Sequence, residues 1–314
     1  MKVGIDLGGT KIEAIVLDGV GKEVWRRRVR TPHADYTATL EAIASLVMLA
    51  QQQAGVPLSA SVGIGTPGSL YSMKGSPVPV MKNCNSTVLN GMPLKRDLET
   101  LLGCAVYMAN DANCFALAET LSGQGVDMFD EGIPETVFGV ILGTGVGAGI
   151  IVRGQPLIGL HGIAGEWGHN PLPESALALL PVTEKGRACY CGRNDCVETY
   201  LSGPGLALSY QLRFGDVRSS KAILRGVRSR DEASLSIWRM YSEQLACSLS
   251  YIVNILDPRL IVLGGGMSTI PEIYEGLAQR MEPYIFSGQF ETPVVPAKLG
   301  DSAGVFGAAW LNPE

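Results

Sequence analysis

At 314 residues the chain exceeds the roughly 250–300 at which a single hydrophobic core stops growing, so two domains are expected. Apolar residues make up 46% and charged residues 18%, which excludes a disordered chain. A formal charge of −5 and a pI near 5.4 exclude the basic field that nucleic-acid binding needs, and Arg26–Arg28 is too short a run to supply one. The N-terminus enters a strand directly and no apolar stretch approaches ~18 residues, so a cytoplasmic protein without a membrane anchor is expected.

In chain order, alternation predicts strands over residues 2–7, 12–17 and 23–30, joined by Gly8-Gly9-Thr10-Lys11 and by Asp18-Gly19-Val20-Gly21, an antiparallel meander. Leu40, Ile43, Leu46, Val47 and Ala50 recur at helical spacing within 36–54, and a strand at 61–65 ends at Thr66-Pro67-Gly68. A helix over 93–102, a strand over 105–109 and a helix from Asp111 complete a first α/β domain that ends near residue 115. The pattern restarts with a strand at 136–142, a second glycine turn (Gly143-Thr144-Gly145-Val146-Gly147) and a returning strand at 148–152. Residues 153–200 are turn-rich. Helices follow at 204–213, 219–229 and 231–256, the last stopped by Asp257-Pro258. A strand at 259–263 runs into Gly264-Gly265-Gly266, then come a helix at 271–285, a strand at 293–296 and a last helix from Asp301. The expected organisation is residues 1–115 plus a C-terminal helix of about 301–314 as one domain and 116–300 as the other, sharing a cleft.

Glycine-rich turns suggest a dinucleotide fold, but that fold needs a helix after the glycines. Here a strand follows both times, and no Walker sequence occurs. Two hairpin loops can instead present backbone N–H groups to phosphates, with Thr10 and Thr144 adding hydroxyls and Lys11 a cation. Asp6 ends the first strand, where it can hold Mg²⁺ through water. Gly264–Gly266 allow close approach of a nucleotide to the backbone. The expected nucleotide site is therefore Gly4, Asp6, Gly8, Gly9, Thr10, Lys11, Gly143, Thr144, Gly145, Gly147, Gly264, Gly265 and Gly266.

The chain has seven cysteines, an odd number. Cys189-x-Cys191-x4-Cys196 supplies three thiolates within eight residues, and His169 in the preceding loop supplies a nitrogen, a donor set for structural, four-coordinate zinc.

Taken in order, Ile5-Asp6-Leu7-Gly8-Gly9-Thr10-Lys11, Asn110-Asp111-Ala112-Asn113, Gly143-Thr144-Gly145, Gly165-Glu166-Trp167-Gly168-His169 and Cys189-Tyr190-Cys191-Gly192 with Cys196-Val197-Glu198 resemble the ROK sugar kinases of the actin/hexokinase superfamily along essentially the whole chain. The resemblance implies two actin-like (ribonuclease H-like) α/β domains with a cleft between them, ATP and Mg²⁺ as cofactors beside zinc, and a homodimer. It assigns Asp111 as the base that accepts the sugar hydroxyl proton, a group that phosphoryl transfer to an alcohol requires. Asn110, Glu166, His169 and Glu198 become ligands of sugar hydroxyls, and Gly68 with Asn83-Cys84-Asn85 lines the pocket. The chain looks most like fructokinases and mannokinases acting on the 6-hydroxyl, with a glucose or N-acetylhexosamine kinase as the alternative. A sugar-sensing transcriptional regulator is disfavoured, because the phosphate-loop strand begins at Lys2 and leaves no room for a helix-turn-helix. Asp195 departs from the family pattern, which usually has glycine there.

Overall fold

The computed structural model describes residues 1–72, 78–84 and 86–312, so Asn85 and the last two positions of the expected C-terminal helix lie outside the described residues. The chain divides into two compact units, Met1–Pro134 with Gly149–Gly165 and Lys298–Glu314, and Glu135–Ala148 with Glu166–Ala297.

In the first unit β1 (Lys2–Leu7), β2 (Lys11–Leu17) and β3 (Glu23–Arg30) form an antiparallel meander with Asp6 opposite Glu13 and Glu13 opposite Arg28. Helix α1 (Tyr36–Ala54) starts at Asp35, whose carboxylate accepts the Ala38 N–H, and stops at Gly55 in the left-handed conformation that glycine tolerates best. Strand β4 (Val62–Thr66) pairs parallel with β1. A small hairpin of β5 (Ser69–Tyr71) and β6 (Val80–Lys82) follows, then α2 (Leu94–Leu102), β7 (Val106–Asn110) parallel to β4, α3 (Asp111–Leu121) and α4 (Gln124–Met128). The sheet order is β3-β2-β1-β4-β7. Residue 115, expected to end the domain, falls inside α3, which packs along α11 (Ala303–Trp310) and so belongs wholly to this unit.

The two faces of this sheet are covered differently. Val3, Ile5 and Leu7 meet Ile43, Leu46, Val47 and Ala50 of α1, while Ile15 and Leu17 meet Val305 and Ala309 of α11. On the α11 face the strands carry glycine. A Cβ at Gly4 would lie 2.5 Å from the Ala309 nitrogen, and one at Gly63 only 1.7 Å from the Ala308 oxygen. Gly4, expected beside the nucleotide, is therefore dictated by helix packing against the sheet.

The second sheet has the order β10-β9-β8-β11-β12, built from β8 (Thr136–Leu142), β9 (Val146–Val152), β10 (Gln155–Pro156), β11 (Leu260–Gly264) and β12 (Val294–Pro296). β8, β11 and β12 run parallel. The helices of the second unit are α5 (Glu174–Leu177), α6 (Glu198–Leu201), α7 (Gly203–Phe214), α8 (Ser220–Arg228), α9 (Glu232–Leu256) and α10 (Leu277–Met281). The single helix expected over 271–285 is instead a 3₁₀ turn at Pro271–Ile273, α10 and a second 3₁₀ turn at Glu282–Tyr284. Gly276 takes φ +65, which ends one turn before α10 begins, and Pro283 has no N–H to extend α10. Among the described residues no helix is long and apolar enough to cross a membrane.

Candidate active site

The carboxyl ends of β1, β4 and β7 bring the first group of polar residues into line. Asp6 stands opposite Gly65, Gly65 opposite Ala109 and Thr66 opposite Asn110, and loops at this end of parallel strands are where ligands collect in α/β sheets. Asn110 caps α3, its Oδ1 accepting the Asn113 N–H at 2.8 Å, and the adjacent Asp111 accepts the Ala112 N–H at 2.8 Å. Asp111 reaches solvent while protein crowds it, and this desolvation raises its pKa despite the backbone donors. Asp6 is half-buried, and desolvation followed by the Asp111 charge lifts it to about 6, with Lys11 pulling the other way. Two carboxylates in one desolvated neighbourhood are a natural seat for a divalent cation, which relieves their repulsion. The wall behind Asp6 is Gly304 of α11, where a Cβ would stand 3.3 Å from the carboxyl carbon.

The Gly8–Lys11 hairpin closes through the Gly8 N–H to the Lys11 carbonyl at 2.9 Å, and Thr31 Oγ1 donates to the Gly8 carbonyl at 2.7 Å. Lys11 Nζ lies 3.6 Å from Glu13, which also takes Arg26 and Arg28 at 2.8 Å each.

In the second unit the Gly143–Gly147 turn is clamped by the loops expected to bind sugar. Glu198 Oε2 accepts the Val146 N–H at 2.9 Å and would lie 2.6 Å from a Cβ at Gly145, while a Cβ at Gly168 would meet the Val146 oxygen at 2.0 Å. The Gly203 N–H at the start of α7 donates to the Gly143 carbonyl at 2.9 Å. Because Ile141 of β8 stands opposite Gly264 of β11, the triple glycine lies beside this turn, and Gly265 (φ +79) packs on the Leu142 oxygen. Gly143 and Gly266 leave open space where a side chain would stand.

The ligand atoms of His169, Cys189, Cys191 and Cys196 all lie within 4.8 Å of one another. Cys189 Sγ is 3.5 Å from His169 Nδ1, and Cys191 Sγ is 3.6 Å from Cys196 Sγ. Tetrahedral zinc, with Zn–S near 2.3 Å and Zn–N near 2.0–2.1 Å, needs S···S of about 3.8 Å and S···N of about 3.6 Å, so the donor set fits that ion. His169 Nε2, on the other side of the ring, meets the exposed Tyr190 hydroxyl at 2.8 Å. The knuckle closes through bridges Ala188↔Asn194 and Pro171↔Cys196. Asp195 adopts φ +57, so it fills the glycine conformation, and its carboxylate accepts the Gly186 N–H at 3.0 Å, the Arg187 N–H at 2.9 Å and the Tyr200 hydroxyl. Arg187 lies 4.1 Å over the Tyr200 ring, which fastens the knuckle to α6 and so to Glu198.

Of the residues expected around the sugar, Gly68 and Asn110 line one cavity of the first unit, whereas Asn83 is exposed and outside its wall. Gly68 has φ +76, and a Cβ there would meet the Lys82 oxygen at 2.3 Å. Sequence reasoning passed over Gly63, Gly65, Gly304 and Gly307, which bring α11 and α3 up to the sheet behind Asp6 and Asp111. Their signal was present as glycine at every second position in Val62-Gly63-Ile64-Gly65 and as the small-residue run Ala303-Gly304-Val305-Phe306-Gly307-Ala308-Ala309.

The chain belongs to the ROK family, whose model matches residues 2–314, and within that family to the sugar kinases. It is 38% identical over 312 residues to the N-acetyl-D-glucosamine kinase of Salmonella heidelberg, with 99% of both chains covered. Its fold matches the ROK hexokinase of Thermus thermophilus with a TM-score of 0.82 and 31% identity, over 99% of this chain and 98% of that one. It also matches the ROK glucokinase of Streptomyces griseus in complex with glucose and AMPPNP, with a TM-score of 0.70 and 27% identity over 99% and 98%. The mixed α/β architecture with two sheets is that of the actin-like, ribonuclease H-like superfamily.

Proposed function

We propose that the protein phosphorylates N-acetyl-D-glucosamine at its 6-hydroxyl with ATP. The observation that carries this reading is the 38% identity to the Salmonella N-acetyl-D-glucosamine kinase over 99% of both chains. Fructose and mannose were expected from the motifs, and the name of this relative favours the N-acetylhexosamine alternative over them.

In this reading Asp111 accepts the 6-hydroxyl proton, and its raised pKa brings it closer to neutral pH, where a general base works best. Asn110 has its Oδ1 committed to the α3 cap, which leaves Nδ2 to donate to a neighbouring sugar hydroxyl. Within the first unit, the backbone N–H groups of the Gly-Gly-Thr turn with Lys11 as cation would bind phosphate, and within the second the Gly-Thr-Gly turn offers the same kind of donors. Asp6 would hold Mg²⁺, which when bound neutralises charge on the transferred phosphoryl group. His169, Cys189, Cys191 and Cys196 would hold a closed, structural zinc that fixes the loops carrying Glu166 and Glu198. Cytoplasmic location and homodimeric assembly belong to the same reading through the family resemblance.

The test is an ATP-coupled assay over N-acetylglucosamine, N-acetylmannosamine, glucose, fructose and mannose. N-acetylglucosamine is expected to have the highest kcat/KM, by about tenfold over glucose, a margin within reach of one built contact. A higher value for fructose or mannose would overturn the substrate assignment and leave the kinase assignment standing.

A further inference from the structure

Lys11 and Glu13 lie two residues apart on β2, so their side chains share one face of the sheet, and on β3 Arg28 stands opposite Glu13 with Arg26 two residues before it. Glu13 is fully buried, and the reaction proposed above gives it no task. Burial alone would raise its pKa, but hydrogen bonds from Arg28 and Arg26 more than offset this and keep it ionised. The three cations hold it unequally. Arg26 Nη1 donates to Oε1 at 2.8 Å and to Ser302 Oγ at 2.9 Å, and its guanidinium lies 5.7 Å over the Phe306 ring, which fixes it against the start of α11. Arg28 Nη2 spans both carboxylate oxygens, at 2.9 and 2.8 Å. Lys11 Nζ stands 3.6 Å from Oε2, beyond a hydrogen bond, on a side chain that is 36% exposed. A buried carboxylate must be paired, and the two arginines already pair both oxygens, so Lys11 can leave without baring the charge.

We infer that Glu13 is a positioning residue that sets how tightly the Gly8–Lys11 hairpin holds phosphate: it competes for the Lys11 ammonium, which leaves Glu13 for the phosphate of the donor while Arg26 and Arg28 stay behind. This deepens the ATP reading above and rests on it. A phosphate in the hairpin is a less neutralised anion than Glu13 with its two guanidiniums, so the exchange favours phosphate. Because the Lys11 contact to Glu13 exists in the free protein and is given up on binding, it weakens the hold on the nucleotide and helps the spent one to leave.

The experiment measures the affinity for AMPPNP with Mg²⁺ by calorimetry, together with kcat and both KM values, in the wild type, Glu13→Gln, Lys11→Met and the double variant. Lys11→Met is expected to bind about tenfold more weakly, the loss of one charge-assisted hydrogen bond. Glu13→Gln is expected to bind AMPPNP roughly 2- to 5-fold more tightly, the worth of one part-exposed ion pair, with a matching fall in the KM for ATP and no change in kcat or in the sugar KM. In the Lys11→Met background the same change should leave the affinity as it was, because its effect passes through Lys11. A purely structural Glu13 would weaken binding when replaced, and a purely long-range charge effect would tighten it equally in both backgrounds; either result overturns the inference. Should Glu13→Gln fail to fold, Arg28→Gln, at a half-exposed position, decides. With one guanidinium gone Glu13 grips Lys11 harder, so AMPPNP should bind roughly 2- to 5-fold more weakly in the wild-type background and unchanged in Lys11→Met, and an equal loss in both overturns the inference. Wild-type affinity in Lys11→Met would take Lys11 out of the phosphate site and this inference with it, whereas a wild-type protein that neither binds AMPPNP nor turns over ATP would bring down the kinase reading itself.

Discussion

Asp111 is held by two opposing influences. The N-terminus of α3 and the Ala112 N–H favour its charged form, while the surrounding protein disfavours it, and the balance lies above the ordinary carboxylate value. Asp111→Asn keeps the shape and the solvent exposure but cannot take a proton. Its kcat should drop by roughly 10²–10⁴, with the melting temperature and ATP affinity nearly unchanged, and full turnover in that variant would remove Asp111 from the mechanism. A glycine of the first sheet should matter as much for stability. Gly63→Ala would set a methyl 1.7 Å from the Ala308 oxygen, which is backbone and cannot rotate away, so α11 must shift. The loss should be about 1–3 kcal/mol or more, a fall of roughly 2–4 °C in Tm for each kcal/mol in a chain of this size. An unchanged melt would mean that α11 does not seat on the glycine face of the sheet.

At the scale of elements, the cysteine knuckle and helix α6 act as one piece. Asp195 ties Gly186, Arg187 and Tyr200 together, and Glu198 of the same α6 reaches the Val146 N–H in the second glycine turn. Chelation or Cys191→Ser should remove about one zinc per chain and raise the sugar KM by up to ~10²-fold, as a displacement near 1 Å does, with a lesser effect on ATP affinity. Metal-free protein with unchanged sugar kinetics would defeat this. Elements of this kind were legible in the sequence because their causes are local. The meander β1–β3 follows from alternation and turn glycines, the end of α9 from Asp257-Pro258, and the thiolate cluster from three cysteines in eight residues. What escaped depends on distant partners. The β5–β6 hairpin has three-residue strands that no periodicity reveals. The break at Gly276 lies in an apolar pattern that reads equally well as one helix. The motifs leave the choice of sugar open for the same reason, since they describe chemistry common to many sugars and not the wall around one substituent.

At the scale of the whole chain, the first unit is closed by a segment that returns after the second has been threaded. Glu119 of α3 is fully buried, and its carboxylate accepts the N–H groups of Gln124 at 3.2 Å, Lys298 at 3.1 Å and Leu299 at 2.8 Å. From Leu299 the chain enters α11, which lies on the glycine face of the first sheet and sets Gly304 against Asp6. One buried side chain thus fastens the tail whose helix walls Asp6. Glu119→Gln keeps the volume, but it turns an NH₂ group toward donors, so at least one backbone N–H loses its acceptor and a second donor faces it. At about 1–3 kcal/mol for each buried group left unpaired, the loss should reach roughly 2–5 kcal/mol. The change should be local as well as global. Hydrogen exchange should accelerate first at the Lys298 and Leu299 amides and along α11, while the amides of β11, which belong to the other unit, keep their protection until global unfolding. Turnover should fall together with the protection of α11, because the Asp6 wall moves with that helix. If the Lys298 and Leu299 amides exchanged no faster in Glu119→Gln than in the wild type, the returning segment would be held by α11 packing alone, and the loss of stability should then appear in Gly63→Ala and Gly307→Ala but not in Glu119→Gln.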